Sequence, residues 1–285
     1  MLVNRDTTAI VVDSTADLPD YLAGDPNISM VPLTVYFGDE AYLDWVEMQP
    51  AEFYERLATA PALPRTSQPS AGAFLDEYKR LREKYQLVYS VHLSGKFSGT
   101  CASAEVARSQ IDGVKVVDSL LATGGIALLV DRILARIDQG VTDVEMDDYI
   151  EHFLAKRTFT FLPTTLDQLH KGGRIGHASH LVGTLLNIKP VLTIEDGVIE
   201  VYKKVRGVRQ ALEAMVSGML DATEPGSTCY VSLSHGLNEP VLEQIRAMLD
   251  EVTDRDLRIR LTSIVGAVIG TYVGPGAIAL CCIQE

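Results

Sequence analysis

The chain has no excess of positive charge: its 285 residues include 25 Lys and Arg against 38 Asp and Glu, a net charge of −13. A surface of this sign repels nucleic-acid phosphates and anionic lipids, which argues against broad binding to either. The balance still leaves room for a small local basic patch. Hydrophobic residues make up 47% of the chain, which is typical of a globular protein with a large core.

A long uninterrupted apolar run is also missing. The longest apolar stretch, residues 264–280, is broken by four glycines and one proline, so we expect no membrane-spanning segment. The first residues lead straight into a short strand pattern over Thr8–Val12 rather than into a signal sequence. The sequence therefore predicts a soluble, cytoplasmic protein.

Cysteine is scarce, and the spacings typical of metal or redox motifs are absent. The four cysteines form no Cys-x-x-Cys pair, and their apolar surroundings indicate small buried side chains: Cys101, Cys229, Cys281 and Cys282. His170, His177 and His180 are spaced by seven and three residues, with no nearby carboxylate suited to complete a zinc site. We therefore expect neither a metal nor a cofactor.

Strand and helix patterns alternate along the chain, which predicts an α/β fold. In the first half this alternation implies a mostly parallel sheet with helices on both faces, and its strands are expected at Thr8–Val12, Ser29–Phe37, Leu87–Leu93 and Val114–Val117. In the second half, two strand patterns flank Asp196-Gly197, which is a strong hairpin signal and predicts a mixed sheet. An apolar helix is expected over Leu181–Leu186.

A length of 285 residues is enough for two domains of ordinary size. The charged end of the helix pattern over Asp143–Lys156 marks the candidate boundary. We expect an N-terminal α/β domain over residues 1–157 and a C-terminal α/β domain over residues 158–285. The second half is expected to carry the antiparallel hairpin.

The strongest local signal is the strand pattern Leu87–Leu93 followed by the glycine- and serine-rich loop Ser94–Thr100 and a helix pattern. A loop of this kind presents backbone N–H groups and hydroxyls at a positive helix end, an arrangement that suits an anion. Its order lacks the spacing of a Walker A motif. A second hydroxyl-rich loop, Arg65–Ser70, precedes the next helix pattern, and Ser70 is a natural N-cap. Both loops are expected beyond the carboxyl ends of strands, where ligands of such sheets bind. A tight strand-to-helix turn without any ligand is the alternative.

Several motifs, taken in chain order, resemble those of the DegV family. They are Ile10–Pro19, Thr66–Ser70, Ser98–Thr100, Leu169–Ile175, Leu185–Leu192 and Gly274–Ala277. The resemblance implies a two-domain α/β protein that encloses one long-chain fatty acid. It further implies a non-catalytic, acyl-carrying subunit of a bacterial fatty-acid kinase, whose kinase partner phosphorylates the bound carboxylate to an acyl phosphate.

By the family pattern, Thr66 and Ser98 hold the carboxylate of the fatty acid. Many members carry a histidine before the Val-Gly-Pro-Gly segment, whereas this chain has Tyr272. A phenol donates a hydrogen bond but does not become cationic near neutral pH, so we expect a differently tuned head-group site. Ser94, on the same loop as Ser98, is a further candidate contact.

Basic residues also stand out against the acidic background. Lys171 and Arg174 share a glycine-rich turn, and a second group ends at Arg206. A solvated turn is the ordinary interpretation of such residues. With the family resemblance, we expect Arg174 and Arg206 to dock the kinase subunit or to neutralise the phosphates that it brings.

Two other classes of function compete with the carrier. One is an enzyme with Ser98 as nucleophile and His92 as base, which the absence of a Gly-x-Ser-x-Gly elbow and of an evident acid partner disfavours. The other is a nucleotide-binding protein, which lacks a phosphate loop and a Gly-x-Gly-x-x-Gly motif.

Overall fold

The computed structural model describes residues 1–181 and 188–285. Within them the strands are β1 (Leu2–Val3), β2 (Thr8–Asp13), β3 (Ile28–Val31), β4 (Thr34–Phe37), β5 (Glu40–Leu43), β6 (Arg65–Ser67), β7 (Leu87–His92), β8 (Val114–Asp118), β9 (Val141–Thr142), β10 (Thr158–Leu162), β11 (Lys189–Glu195), β12 (Val198–Val205), β13 (Thr228–His235), β14 (Asp256–Ile264) and β15 (Ile278–Gln284).

The helices of the same residues are α1 (Asp20–Ala23), α2 (Pro50–Thr59), α3 (Ala71–Arg82), α4 (Thr100–Arg108), α5 (Gly124–Gln139), α6 (Asp143–Lys156), α7 (Asp167–Lys171), α8 (Gly207–Asp221), α9 (Glu239–Asp250) and α10 (Ala267–Val273). Short 3₁₀ turns occupy Ser14–Ala16 and Gly176–Leu181. Apart from Leu181, the helix expected over Leu181–Leu186 lies outside the described residues.

The first half of the chain forms a parallel sheet, as expected. Its strand order is β3-β2-β7-β8, and every neighbouring pair is parallel. The two central strands are buried along their whole length, because helices cover both faces of a parallel sheet. Ser70 caps α3 as expected: its hydroxyl accepts the Ala73 N–H at 3.1 Å.

The strand expected over Ser29–Phe37 is in fact two strands. Pro32 interrupts it because proline has no N–H to donate to a ladder, and β3 and β4 then join different sheets. β4 pairs antiparallel with β5 across the expected turn at Gly38-Asp39, and also with β6. Thr66 therefore lies on strand β6, paired with Val35, and not on a strand-to-helix loop as expected.

The second half forms a six-stranded mixed sheet in the order β12-β11-β10-β15-β13-β14, which confirms the expected architecture. Only β13 and β14 are parallel neighbours in this sheet. The hairpin β11–β12 turns at Asp196 and Gly197, which both have positive φ. Whether the two halves divide at residue 157 stays a prediction.

Helix α5 lies between the two main sheets. Every residue from Gly124 to Leu134 is buried, and the helix packs on β7 on one side and on β13, β14 and β15 on the other. Its N-terminus contacts the mixed sheet directly, because the Gly124 N–H donates to the Ser234 hydroxyl and its carbonyl accepts from Ser232. The main core cluster consequently contains side chains from both halves of the chain.

The apolar stretch 264–280 contains a helix that the sequence pattern did not predict, the seven-residue α10. Pro275 and three nearby glycines interrupt the apolar pattern, so its helical periodicity was not evident from the sequence. Helix α10 packs against α2, α7 and β4, so it joins the second half of the chain to the small antiparallel sheet. In the described part of the chain, no helix has the length and apolar character needed to cross a membrane.

We expect Gly124→Ala to destabilise the protein, because a Cβ at this position would overlap the Ser234 hydroxyl. Overpacking of this kind costs about 1–3 kcal/mol of unfolding free energy, measurable by urea denaturation. Gly72→Ala, in α3, is the control: its nearest neighbour would be 3.6 Å away, so stability should stay the same or rise slightly. Equal effects of the two variants would contradict the close packing of α5 on the mixed sheet.

Candidate functional site

A cavity of about 350 Å³ lies where the small sheet, the loop after β7, the start of α5, the mixed sheet and α10 meet. This volume is within the range typical of small-molecule pockets. The apolar side chains that line it come from both halves of the chain: Leu33, Leu93, Phe97, Ala122, Phe159, Phe161, Leu169, Ile194, Ile199, Val265, Val268, Ile269, Val273, Ala277, Ile278 and Ala279. Such a lining favours an apolar ligand.

Polar side chains gather at one part of this lining. Thr66 of β6 and Tyr272 of α10 both face the cavity, and their hydroxyl oxygens are 2.6 Å apart. Each is half-buried, and either hydroxyl can be the donor in this hydrogen bond. The structure thus brings together two of the predicted head-group residues, which are 206 positions apart in the sequence.

Ser98 also lines the cavity, at the N-terminus of α4. Its hydroxyl oxygen accepts the Thr100 N–H at 3.3 Å and lies 2.9 Å from the Thr100 hydroxyl. The neighbouring Gly99 packs against the Gln68 side chain so closely that a Cβ there would overlap it. Strand β6, with Gln68 after it, and the loop at Ser98 and Gly99 therefore meet at the cavity.

Ser94 has a different position from Ser98. It is fully buried, and its hydroxyl donates to the Gly197 carbonyl at 2.8 Å and accepts the Lys96 N–H at 3.2 Å. It does not belong to the cavity lining. Its hydroxyl is used to fasten the β11–β12 hairpin to the loop that carries Ser98.

Arg174 lies at the cavity itself, a position that sequence reasoning missed. Its guanidinium carbon is 5.2 Å from the centre of the Tyr272 ring, Nε donates to the Phe97 carbonyl at 3.2 Å, and Nη1 donates to the Gly172 carbonyl at 2.6 Å. The Arg174 side chain is exposed, so the cavity opens to solvent at this residue, and we call this opening the mouth. The glycine-rich turn before Arg174 was the signal in the sequence that could have indicated this position. Glycine allows the turn to pack closely on Tyr272, since a Cβ on Gly172 would overlap the Tyr272 ring.

Arg206 lies outside the cavity lining, immediately before α8. It is exposed, and its backbone N–H donates to the Gln210 side chain at 3.1 Å. The structure therefore separates the two arginines that the sequence analysis grouped: Arg174 is at the mouth, and Arg206 is on the outer surface.

His92 has an acid partner that the sequence did not reveal. Its Nδ1 is 3.0 Å from Asp13 Oδ2, and its Nε2 is 2.6 Å from the Ser90 hydroxyl, which in turn is 2.7 Å from the Tyr78 hydroxyl. All four side chains are fully buried and none lines the cavity. His92 therefore faces Ser90 and not Ser98. The alternation Ser90-x-His92 on one strand face was the signal that could have predicted this row.

The described part of the chain contains no group of three or more His, Cys, Asp or Glu side chains arranged to hold a metal ion. His177 contacts Glu200, and His180 contacts the His177 carbonyl, so both side chains have local partners.

Fold and site together define a class of protein: an α/β protein with two main sheets around one apolar cavity, whose polar mouth is built from neutral hydroxyls and one arginine. The family model described as "Uncharacterised protein, DegV family" matches residues 7–285. The chain belongs to the DegV family.

Relatives of the chain match it over nearly its full length. A DegV domain-containing protein of Halalkalibacterium halodurans is 36% identical over 279 residues, which are 95% of this chain and 96% of the relative. A protein of Thermotoga maritima named "Fatty acid-binding protein" is also 36% identical over 279 residues, which are 94% of this chain and 95% of the relative.

Solved structures also match the chain over nearly its full length. A DegV family protein from Thermus thermophilus, described by its fatty-acid binding, superposes with a TM-score of 0.92 at 32% identity, covering 98% of this chain and 100% of the other. DegV of Bacillus subtilis, described as a fatty acid binding protein, has a TM-score of 0.87 at 29% identity, with 98% and 99% covered.

The hydrogen bond between Thr66 and Tyr272 should be measurable as a coupling in the ligand-free protein. A double-mutant cycle of Thr66→Ala and Tyr272→Phe is expected to give an interaction term of about 0.5–1.5 kcal/mol in the unfolding free energy. The control cycle pairs Tyr272→Phe with Ser67→Ala, because the Ser67 hydroxyl bonds Tyr36 at 3.2 Å. Additive effects in both cycles would refute the Thr66–Tyr272 bond.

Proposed function

We propose that the chain binds one long-chain fatty acid, with its tail in the cavity and its carboxylate at Thr66, Ser98 and Tyr272. The observation that carries this proposal is the distribution of polarity: a mostly apolar lining with hydroxyls and one arginine gathered at the mouth. The names of the Thermotoga, Thermus and Bacillus relatives support the same ligand class.

The tail supplies most of the affinity in this proposal. Burying ~14 methylenes at ~0.8 kcal/mol each gives roughly 11 kcal/mol of gross transfer free energy, before the costs of binding. The head group then chiefly fixes orientation. Neutral hydroxyl donors and the amides at the start of α4 can hold a carboxylate without a buried arginine.

The Thr66 and Tyr272 hydroxyls bond each other, one as donor and the other as acceptor. A carboxylate accepts hydrogen bonds only, so its arrival turns both hydroxyls toward its oxygens as donors. Tyr272 fulfils this role as a phenol, whereas many members of the family have a histidine there.

We further propose that the protein is a non-catalytic, cytoplasmic carrier, divided into domains at residues 157 and 158, which presents the carboxylate to a fatty-acid kinase for conversion to an acyl phosphate. Arg174 at the mouth and Arg206 on the outer surface are the proposed contacts of that kinase or of its phosphates. Fork-shaped guanidinium groups suit phosphate oxygens.

Protein purified from a bacterial host should release about one fatty acid per chain on denaturation, identified by mass spectrometry. After delipidation, Thr66→Ala and Ser98→Ala should each weaken fatty-acid binding by about 1–3 kcal/mol, because a buried carboxylate loses a donor. Titration calorimetry measures this. In the empty protein Ser98→Ala should change the unfolding free energy little, whereas Thr66→Ala should lose the bond to Tyr272, about 0.5–1.5 kcal/mol.

Ser109→Ala is the matched control for these variants, because that hydroxyl is exposed at the end of α4, outside the cavity lining, and donates to the Val106 carbonyl. Ser94→Ala tests the remaining candidate contact: unchanged affinity assigns its hydroxyl to Gly197 and Lys96 and not to the ligand. Absence of lipid in the purified protein, together with no binding of added C16–C18 acids, would refute the proposed ligand.

Arg174→Ala and Arg206→Ala should retain fatty-acid binding and slow acyl-phosphate formation in a reconstituted kinase assay, with a larger loss at high salt, which screens the charges that remain. Arg209→Ala, in the first turn of α8 next to Arg206, is the control, because its side chain is 83% exposed and pairs with Glu213 of the same helix. Unchanged turnover in both variants, or a loss equal to that of the control, would remove the two arginines from the partner surface.

A further inference from the structure

Two buried carboxyl groups accept hydrogen bonds from the start of α10, the helix that carries Tyr272. Asp17 Oδ1 accepts the Gly266 N–H at 2.9 Å, and Asp44 Oδ1 accepts the Ala267 N–H at 3.0 Å. These are consecutive amides at the N-terminus of α10. Both acids are almost completely buried, and they come from separate elements, the turn after β2 and the loop after β5.

Each of these carboxyl groups keeps one oxygen without a hydrogen-bond partner among residues 1–181 and 188–285, namely Asp17 Oδ2 and Asp44 Oδ2. Thr123, which lines the cavity, likewise has a buried hydroxyl without a hydrogen-bond partner in that part of the chain. No Lys or Arg of the described residues forms an ion pair with either acid. Two adjacent buried negative charges without a counterion are very costly.

The titratable groups around the pair do not supply a cation that reaches it. Asp13 at the end of β2 faces Asp44 and adds negative charge, and His92 behind it is already hydrogen-bonded to Asp13. Tyr54 of α2 is buried and donates its hydroxyl to the Val265 carbonyl at 3.1 Å. Burial, together with Asp13, raises the pKa of Asp44 to about 7, and burial followed by repulsion from Asp44 raises the pKa of Asp17 well above its usual range.

The backbone around the pair is held in an unfavourable conformation. Asp17, Trp45 and Thr123 have φ of 49°, 65° and 48°, in the left-handed region that such residues seldom adopt. Trp45 Nε1 donates to Asp17 Oδ1 at 3.0 Å, and a Cβ on Gly266 would lie only 2.7 Å from that oxygen. Asp17 is therefore packed closely between Trp45 and the start of α10.

We propose that Asp17 and Asp44 retain one proton between them near neutral pH, the shared proton, and that in this state they position α10 so that Tyr272 meets Thr66 at the head-group site. Asp17 and Asp44 are positioning residues in this view, since neither lines the cavity. The effect on ligand affinity rests on the proposed fatty-acid binding, whereas the shared proton does not.

The physical consequence is a dependence on pH with a definite sign. A carboxyl whose pKa is raised on folding binds a proton in the native state at pH values where the unfolded chain has lost it, so the unfolding free energy falls as pH rises from about 4 to the native pKa. Once both acids are ionised, they repel each other beneath α10. Tyr272 then loses its alignment with Thr66, and affinity for a carboxylate ligand falls.

The shared proton can be tested in the ligand-free protein through Trp45, the only tryptophan of the chain. Because its indole N–H bonds Asp17, its fluorescence should titrate with a midpoint above about pH 6. Asp44→Asn should move the midpoint to lower pH, because it removes the like charge next to Asp17. Asp39→Asn, an exposed acid in the β4–β5 turn, is the control and should leave the midpoint unchanged.

The coupling to the site is tested by palmitate titrations from about pH 6 to about pH 9, above the range in which the ligand's own carboxyl titrates. The parent should lose about fivefold or more in affinity over this range. Asp44→Asn, whose amide mimics the protonated acid, should retain affinity with a flat profile, whereas Asp44→Ala should bind weakly at every pH.

Flat Trp45 emission across this range, or a midpoint that depends on the concentration of added Na⁺ or Mg²⁺ instead of pH, would overturn the shared proton. Palmitate binding that is independent of pH in the parent would overturn the coupling while leaving the proposed function intact. A titrating Trp45 in a protein that binds no palmitate would support the shared proton and refute the proposed function.

Discussion

The all-round burial of α5 is the constraint on which the rest of the architecture depends. Its segment from Gly124 to Leu134 is buried throughout, so it is covered twice, by the parallel sheet and by the mixed sheet. The two charges within this segment, Asp131 and Arg132, are paired with Arg260 and Glu285. Just before its first residue, at Ala122 and Thr123, the helix no longer fills the space between the sheets. The cavity begins at that point, with both residues in its lining.

The apolar and the polar side chains that line the cavity come from different parts of the chain. The mixed sheet and α10 supply most of the apolar wall, while the small antiparallel sheet and the loop after β7 bring Thr66 and Ser98 to the mouth. Tyr272 and Arg174 complete the mouth from the second half. Neither half of the chain contains the whole site, so its geometry depends on how the two halves pack.

The sequence predicted the elements whose signals are local. The Asp196-Gly197 hairpin, the Ser70 cap and the strand patterns other than Ser29–Phe37 matched the structure, because each depends on residues a few positions apart. Contacts made over long distances were not predictable: the pairing of β6 with β4, the fastening of Ser94 to Gly197, and Arg174 lying against Tyr272. The acid partner of His92 was missed for the same reason, since Asp13 is 79 positions away.

Among the described residues, β12 and β14 are the outer strands of the mixed sheet, and outer strands are a standing risk for strand-to-strand aggregation. Exposed charges stand along both, with Lys203 and Lys204 on β12 and Arg258 and Arg260 on β14. Burying these charged side chains against a second copy of the sheet would cost free energy, so they disfavour edge-to-edge pairing whatever else they contact. The basic residues of β12 therefore protect solubility even in a cell that has no partner for them.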